Sequence, residues 1–310
     1  MQTEIRSLLI VGAGAVGASV AGIVGAREPS AVSVLAGEDR MRRYRREGFI
    51  LNGERKDFAL VSPSDRSEPD LIILAVKCHQ LPRAIEDMRG HVGPSTLILS
   101  LLNGITSEDT LVAAFGEEKV PYAMILGIDA VREGNSTRFS GTGKIHFGDA
   151  SNATGSWSGR VSRIWRFFER TGVACVVPED MIRSLWYKFM INVGINQASA
   201  VLRAPYDVFQ TMPEAKEVME SAMRETVALS KSVGTGLRDA DVASWYDTLS
   251  KLAADGKTSM LQDVEAGRKT EVEAFAGTVI ERGESAGLAV PVNRTLFNLI
   301  RAIERGYGCA

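Results

Sequence analysis

Leu8-Leu-Ile-Val-Gly12-Ala-Gly14-Ala-Val-Gly17 decides how the chain begins to fold. Four apolar residues end in a G-x-G-x-x-G pattern, and the residues that follow, to about Arg27, are small, apolar and helix-compatible. The stretch therefore reads as strand, tight turn and helix. In such a turn the first glycine permits the bend, the second lets backbone approach a pyrophosphate, and the third lets the helix close onto the strand. The unbonded N–H groups at the helix start, with the helix dipole, suit phosphate. Gly12, Ala13, Gly14, Ala15, Val16 and Gly17 are accordingly the candidate residues of a dinucleotide site. A Gly/Ala-rich helix packed tightly on a sheet is the bland alternative, and a methyl-donor or flavin site is another rival.

Working outward, further apolar runs lie at 31–36, 71–76, 97–102 and 120–126, most of them separated by enough chain for a crossover. Runs without polar alternation suit strands covered on both faces, as a parallel sheet requires. The expected class is α/β, with a doubly wound, Rossmann-type first half. Residues 138–148 read as a hairpin, or a pair of antiparallel edge strands, around Ser140-Gly-Thr-Gly143, 158–171 as a helix and 173–177 as a strand. After Pro178 the pattern is helical, with breaks near Pro205, Pro213, Gly234–Gly236, Gly256, Gly267 and Gly287. The expected organisation is a dinucleotide-binding domain over 1–178 and an all-helical domain for substrate and dimerisation over 179–310.

The 310 residues carry 36 basic and 38 acidic side chains, a formal charge of −2. Phosphate-backbone binding needs clustered positive charge, so nucleic acid is not expected as a partner. Apolar and charged fractions of 45% and 24% are those of an ordinary globular chain. Three scattered cysteines, Cys78, Cys175 and Cys309, make neither a disulfide framework nor a metal set, and a reduced, cytoplasmic setting is expected. The N-terminus lacks the basic start and long apolar stretch of a secretory signal, and no run reaches the ~18 apolar residues of a membrane span.

In open α/β sheets, ligands lie beyond the carboxyl ends of the strands. Lys77 follows the run at 71–76 and Asn103 the run at 97–102, which marks Lys77 for a cofactor's adenosine end and Asn103 for its nicotinamide end. Each is equally well read as a plain polar exit residue. His79 reads as a loop residue, and His91 and His146 have no partner pattern. Beyond the second strand, Leu35-Ala36-Gly37 is followed by Glu38, Asp39, Arg40, Arg42 and Arg43. An acid here would bind the ribose hydroxyl of NAD and an arginine the 2′-phosphate of NADP. The arginines favour NADP, with Arg40 the best single candidate; NAD is not excluded, and a solvated helix face explains most of these charges equally well.

In the helical half, Lys188, Asn192 and Asn196 recur at i, i+4 and i+8 within Leu185-Trp-Tyr-Lys-Phe-Met-Ile-Asn-Val-Gly-Ile-Asn196, an otherwise apolar segment. That spacing places them on one helical stripe. Amides and an ammonium among aromatics are costly unless paired, so a stripe facing a cleft is the economical reading; a solvent-facing stripe is the alternative. A lysine in a partly dry cleft suits proton donation to a ketone oxygen, since desolvation favours its neutral form. Farther on, Ser259 with Gln262 and Thr270 with Glu273 have capping-box spacing. A break near Gly267 is expected, because a straight helix would hold Ser259 and Glu271 about 18 Å apart.

Taken in order, GAGAVG, AVKCHQ, LLNG, WYKFMINVGIN, TSMLQD, TEVEAF and AGLAVPVN make the chain resemble the ketopantoate reductase family over nearly its whole length. The resemblance implies NADPH-dependent reduction of ketopantoate to pantoate, on the route to pantothenate and coenzyme A. It also implies Lys188 as general acid, with Glu271 orienting a substrate hydroxyl or the nicotinamide ribose. Asn192, Asn196 and Ser259 would hold substrate, Ser259 through its carboxylate. Asn103 would contact the nicotinamide side, and Lys77, Gln80 and Ala130 would line the cofactor groove. Two departures stand out: the arginine usual after the second strand has no clear counterpart beside Gly37, and two asparagines on the substrate side of some members appear as Tyr206 and Gly256. The competing readings are a 3-hydroxyacid dehydrogenase of similar build and a non-catalytic dinucleotide sensor. Apolar helices in the second half leave a homodimer as an expected partner.

Overall fold

The computed structural model of the chain describes residues 4–128, 130–139 and 142–308. It divides into two compact units, residues 1–102 with 107–182, and residues 103–106 with 183–310. The division thus falls four residues beyond Pro178, and the short segment Asn103–Thr106 groups with the helical unit.

In the first unit the strands are β1 (Leu8–Val11), β2 (Val32–Leu35), β3 (Phe49–Leu51), β4 (Glu54–Lys56), β5 (Ala59–Val61), β6 (Leu71–Leu74), β7 (Leu97–Ser100), β8 (Tyr122–Ile128), β9 (Val131–Glu133), β10 (Ser136–Arg138), β11 (Thr142–Gly148) and β12 (Cys175–Val176). Its helices are α1 (Ala15–Arg27), α2 (Glu38–Glu47), α3 (Leu81–Met88), α4 (Ser107–Phe115) and α5 (Gly159–Thr171). The main sheet runs β5-β2-β1-β6-β7, every neighbour parallel. Alternate strand residues feed opposite faces. Leu8, Ile10, Leu71 and Ile73 join Ala18, Ala21 and Val24 of α1 in one core. Leu9, Val11, Ile72 and Leu74 join Leu81, Ile85 and Met88 of α3 in the other. Burial on both faces is why these strands read as unbroken apolar runs.

Two expectations are corrected. The run at 120–126 does not extend the parallel sheet: β8 pairs antiparallel with β11, and β12 adds to β11 in a separate three-stranded sheet. An apolar run reports burial, not strand direction. The fifth parallel strand is instead β5, a short edge strand. The expected 138–148 hairpin is not formed either, since β10 pairs with β9 and β3 while β11 pairs with β8; residues 140 and 141 of its turn lie outside the described residues.

Where β7 leads to α4, Ser100 Oγ and Ser107 Oγ lie 2.8 Å apart, and Ser107 donates to Glu108 Oε2 at 2.8 Å. Glu108 is buried, and that burial pushes its carboxyl up to about 7.

Among its described residues the second unit is helical, with α6 (Met181–Ile191) opening just before the division, then α7 (Gln197–Leu202), α8 (Tyr206–Thr211), α9 (Pro213–Val233), α10 (Asp239–Leu249), α11 (Ser259–Glu265), α12 (Thr278–Ser285) and α13 (Pro291–Arg305). Two wide π-turns interrupt it: Asn192–Asn196 joins α6 to α7, and Glu273–Gly277 runs into α12. The two π-turns pack on each other; α9 covers the first and α13 the second. The expected break at Gly267 is present: α11 stops at Glu265, and Gly267 adopts φ +60°. No described helix is long and apolar enough to cross a membrane.

Candidate active site

The glycine turn of the first unit is built from backbone. Gly12 takes φ +95°, and a Cβ there would lie 2.6 Å from Val76 Cγ1 and 2.7 Å from the Ala75 carbonyl oxygen. A Cβ on Gly17 would run into the Gly12 carbonyl, so the third glycine lets α1 close onto the turn. Gly14 differs: its Cβ would meet only the Ala75 oxygen, at 3.8 Å. The chain's own packing does not demand a glycine there, whereas close approach of an outside group would. Gly14 caps α1 without a side-chain hydrogen bond, and the first helical turn carries no acid. Ala13 is buried, and Ala15 and Val16 are half-buried. This donor set fits the pyrophosphate of a dinucleotide.

Around it, Arg40 stands exposed on α2, while Arg42 pairs with Glu38 and Asp39. Lys77 and Gln80 flank a single turn after β6, where the Lys77 backbone N–H donates to Gln80 Oε1 at 3.2 Å, so Gln80 shapes that turn. His79 is exposed there. Ala130 is half-buried between β8 and β9. His91 is buried and bonded to Ser67 and to the Ser62 carbonyl, a structural use.

The second unit gathers three of the singled-out side chains. Lys188, on α6, donates from Nζ to Asn103 Oδ1 at 3.0 Å, and Asn103 Nδ2 donates to Glu271 Oε2 at 2.9 Å. The ammonium on one side and the carboxylate on the other fix which way the amide faces. Lys188 and Asn103 are half-buried, and Glu271 is buried at 6% exposure. Glu271 is held by its neighbour Thr270, whose backbone N–H and hydroxyl both donate to Glu304 Oε1, at 2.8 and 2.7 Å.

Asn192 is half-buried and Asn196 buried at 7% exposure, both in the first π-turn. Ser259 is exposed at the first residue of α11. The expected Ser259 cap is corrected: Thr258 caps α11, its hydroxyl accepting from the Leu261 N–H at 3.1 Å. The hydroxyl one residue earlier already meets the free N–H, which leaves Ser259 out of capping. Among the described residues Asn192, Asn196 and Ser259 make no side-chain hydrogen bond. Asn196, though mostly buried, is not among the side chains with a fully buried, unpaired polar atom, so its amide keeps a free face.

Tyr206 and Gly256 prove to be one feature. Tyr206 N–H donates to the Gly256 carbonyl at 3.0 Å, and the ring lies so close that a Cβ on Gly256 would be 2.9 Å from Tyr206 Cδ2. Burial raises the phenol's pKa above its ordinary value.

Sequence reasoning missed the π-turns and the supports around them. Gly194 in mid-helix is the available signal: a Cβ there would lie 2.9 Å from the Met219 carbonyl oxygen of α9.

A parallel-sheet unit with a glycine turn, continued by a helical unit that carries a half-buried lysine on an amide–carboxylate pair, defines a class of two-domain oxidoreductases. Residues 8–152 match the family described as ketopantoate reductase PanE/ApbA, and residues 180–304 match its C-terminal counterpart. The chain belongs to the ketopantoate reductase family. The 2-dehydropantoate 2-reductase of Halobacterium salinarum is 27% identical to it, over 96% of this chain and 99% of that one. The fold is also that of D-mandelate dehydrogenase in a complex with NADH and anilino(oxo)acetate, with a TM-score of 0.88 at 20% identity, over 97% of this chain and 99% of that one. A dimeric ketopantoate reductase from Staphylococcus aureus shares it, with a TM-score of 0.81 at 20% identity, over 97% and 100% of the two chains.

Proposed function

We propose that the chain reduces a 2-oxo acid to the 2-hydroxy acid with a reduced nicotinamide dinucleotide, ketopantoate being the first candidate substrate. The observation that carries this reading is the Lys188–Asn103–Glu271 chain, an ammonium held by a polar partner of fixed direction. The nicotinamide, when bound, supplies the hydride. Gly12 to Gly17 hold its pyrophosphate through backbone N–H groups, and Lys77, Gln80 and Ala130 line the groove. Arg40 meets a 2′-phosphate, which favours NADP over NAD. Lys188 gives a proton to the ketone oxygen, a contribution typically worth about 10²–10⁴ in rate. Asn103 keeps the ammonium aimed, and Glu271 keeps Asn103 from turning over. Asn192, Asn196 and Ser259 bind the acid's polar groups with side chains that make no hydrogen bond of their own among the described residues.

One observation favours a second substrate reading. Tyr206 over Gly256 offers a ring where some family members offer amides, which suits a 2-oxo acid with an aromatic or branched apolar side chain. The dimeric relative supports a second copy of the chain as partner. The test is a spectrophotometric screen of 2-oxo acids, ketopantoate and phenylglyoxylate included, with NADPH and NADH in parallel. Oxidation of cofactor dependent on a 2-oxo acid is expected. Turnover of 3-hydroxyacids instead would replace this reading with a dehydrogenase, and a protein that binds cofactor but is inert to every acid would replace it with a sensor.

A further inference from the structure

The first π-turn is supported by a chain of side chains that the reaction does not use. Gln197, fully buried, donates from Nε2 to the Val193 carbonyl inside the turn at 2.6 Å and to Asn293 Oδ1 at 3.1 Å. Asn293, also fully buried, donates from Nδ2 to the Ala222 carbonyl at 3.2 Å and to Glu225 Oε2 at 2.8 Å. Glu225, on α9, also accepts from the backbone N–H groups of Val292 and Asn293 at 2.8 and 2.9 Å, capping α13 from a neighbouring helix. The side-chain donors run one way: Gln197 gives to the Val193 carbonyl and to Asn293, and Asn293 gives to the Ala222 carbonyl and to the Glu225 carboxylate. Neither amide can turn over, because each Nδ2 or Nε2 faces only acceptors.

The wide turn has a geometric effect on the stripe. Four residues of α-helix overshoot a full turn by about 40°, so Asn196 on a regular helix would drift about 80° from Lys188. A π-turn bonds i to i+5 and takes more than four residues per turn, so the step from Asn192 to Asn196 undershoots and cancels the drift. Such a turn loosens the backbone ladder, and the Gln197 amide gives the Val193 carbonyl a second donor there.

We propose that Gln197, Asn293 and Glu225 are positioning residues that hold the π-turn at 192–196 open, and with it the alignment of Asn192 and Asn196 with Lys188. The proposal rests on the reading of that stripe as the substrate-binding face. Lys188 precedes the turn and keeps its place when the turn closes; the asparagines do not. Loss of the chain therefore acts on substrate binding more than on proton transfer.

The test takes the full chain with three substitutions. Gln197→Met is matched in volume and removes the donor to Val193. Asn293→Asp keeps an acceptor for Gln197 but sets a carboxylate against Glu225. Glu225→Gln, at a half-buried position, is the mildest of the three. Crystal structures of the variants are expected to show 192–196 as regular α-helix, with Asn196 swung out of line. With the 2-oxo acid turned over by wild type, KM for the acid is expected to rise at least tenfold in the first two variants and severalfold in Glu225→Gln. The kcat stays within threefold and the cofactor Kd is unchanged. A π-turn that persists in the variants, or a lowered Tm with KM unmoved, overturns the proposal. A wild type inert to all 2-oxo acids would instead defeat the functional reading, while the helix register of the variants would still decide this one.

Discussion

The two units make their sites from different materials. The glycine turn of the first unit is backbone, and its side chains matter chiefly by their absence: the Ala75 carbonyl and Val76 leave no room for a Cβ on Gly12. The site in the second unit is made of side chains from distant positions, 103, 188 and 271, joined by two hydrogen bonds. A backbone site is sensitive to added bulk and indifferent to charge, whereas a side-chain site is sensitive to polarity. The same turn can therefore serve many reductases while the polar set selects the chemistry.

Substitutions can break or sharpen this contrast. Gly12→Ala forces a side chain into the left-handed region and into Val76, so cofactor binding is expected to vanish in a fluorescence titration, with a lowered Tm. Asn103→Leu keeps the shape and removes both bonds to charged groups; at about 1.5–3 kcal/mol per bond, kcat/KM is expected to fall about 10²–10⁴-fold without loss of the fold. Gly14→Ala separates the two kinds of demand, because its Cβ meets only the Ala75 oxygen at 3.8 Å. Its Tm is expected to match wild type while cofactor affinity drops about tenfold, since the crowding is with the ligand alone. Equal affinity would show that the turn tolerates bulk where a pyrophosphate is expected.

The smallest effect on turnover is expected at Glu108. Its carboxyl is raised to about 7 by burial, so the fold favours the neutral form. That stabilisation is complete below the unfolded value near 4.5 and is lost as pH rises toward 7, at a slope of up to about 1 kcal/mol per pH unit. Denaturant titrations of Glu108→Gln should be flatter over this window than those of wild type; parallel curves would contradict the assignment.

Much of the first unit is legible in the chain because burial on both faces leaves short apolar runs at 8–11, 71–74 and 97–99. Strand β5 is less legible: Phe58-Ala-Leu-Val61 is a short apolar run, but at the edge of the sheet it is only partly buried, with Ala59 exposed. The β3–β4 hairpin had a signal, Asn52-Gly53, both at positive φ, which the apolar pattern alone does not use. In the helical unit, Lys188 stood out as a charge among aromatics, and Glu271 through its family motif. The π-turns carry no residue code of their own. They rest on packing, the first against α9 beside Gln197, Asn293 and Glu225, the second against α13, contacts between residues far apart in sequence.

The most direct test of the central claim is steady-state reduction of the best 2-oxo acid by Lys188→Ala, paired with the cofactor Kd of the same preparation. A fall in kcat of at least 100-fold with an unchanged Kd is expected on the proposed reading, in which the lysine acts on the ketone oxygen and the glycine turn holds the cofactor. A kcat within threefold of wild type would contradict the assignment of Lys188 as the proton donor.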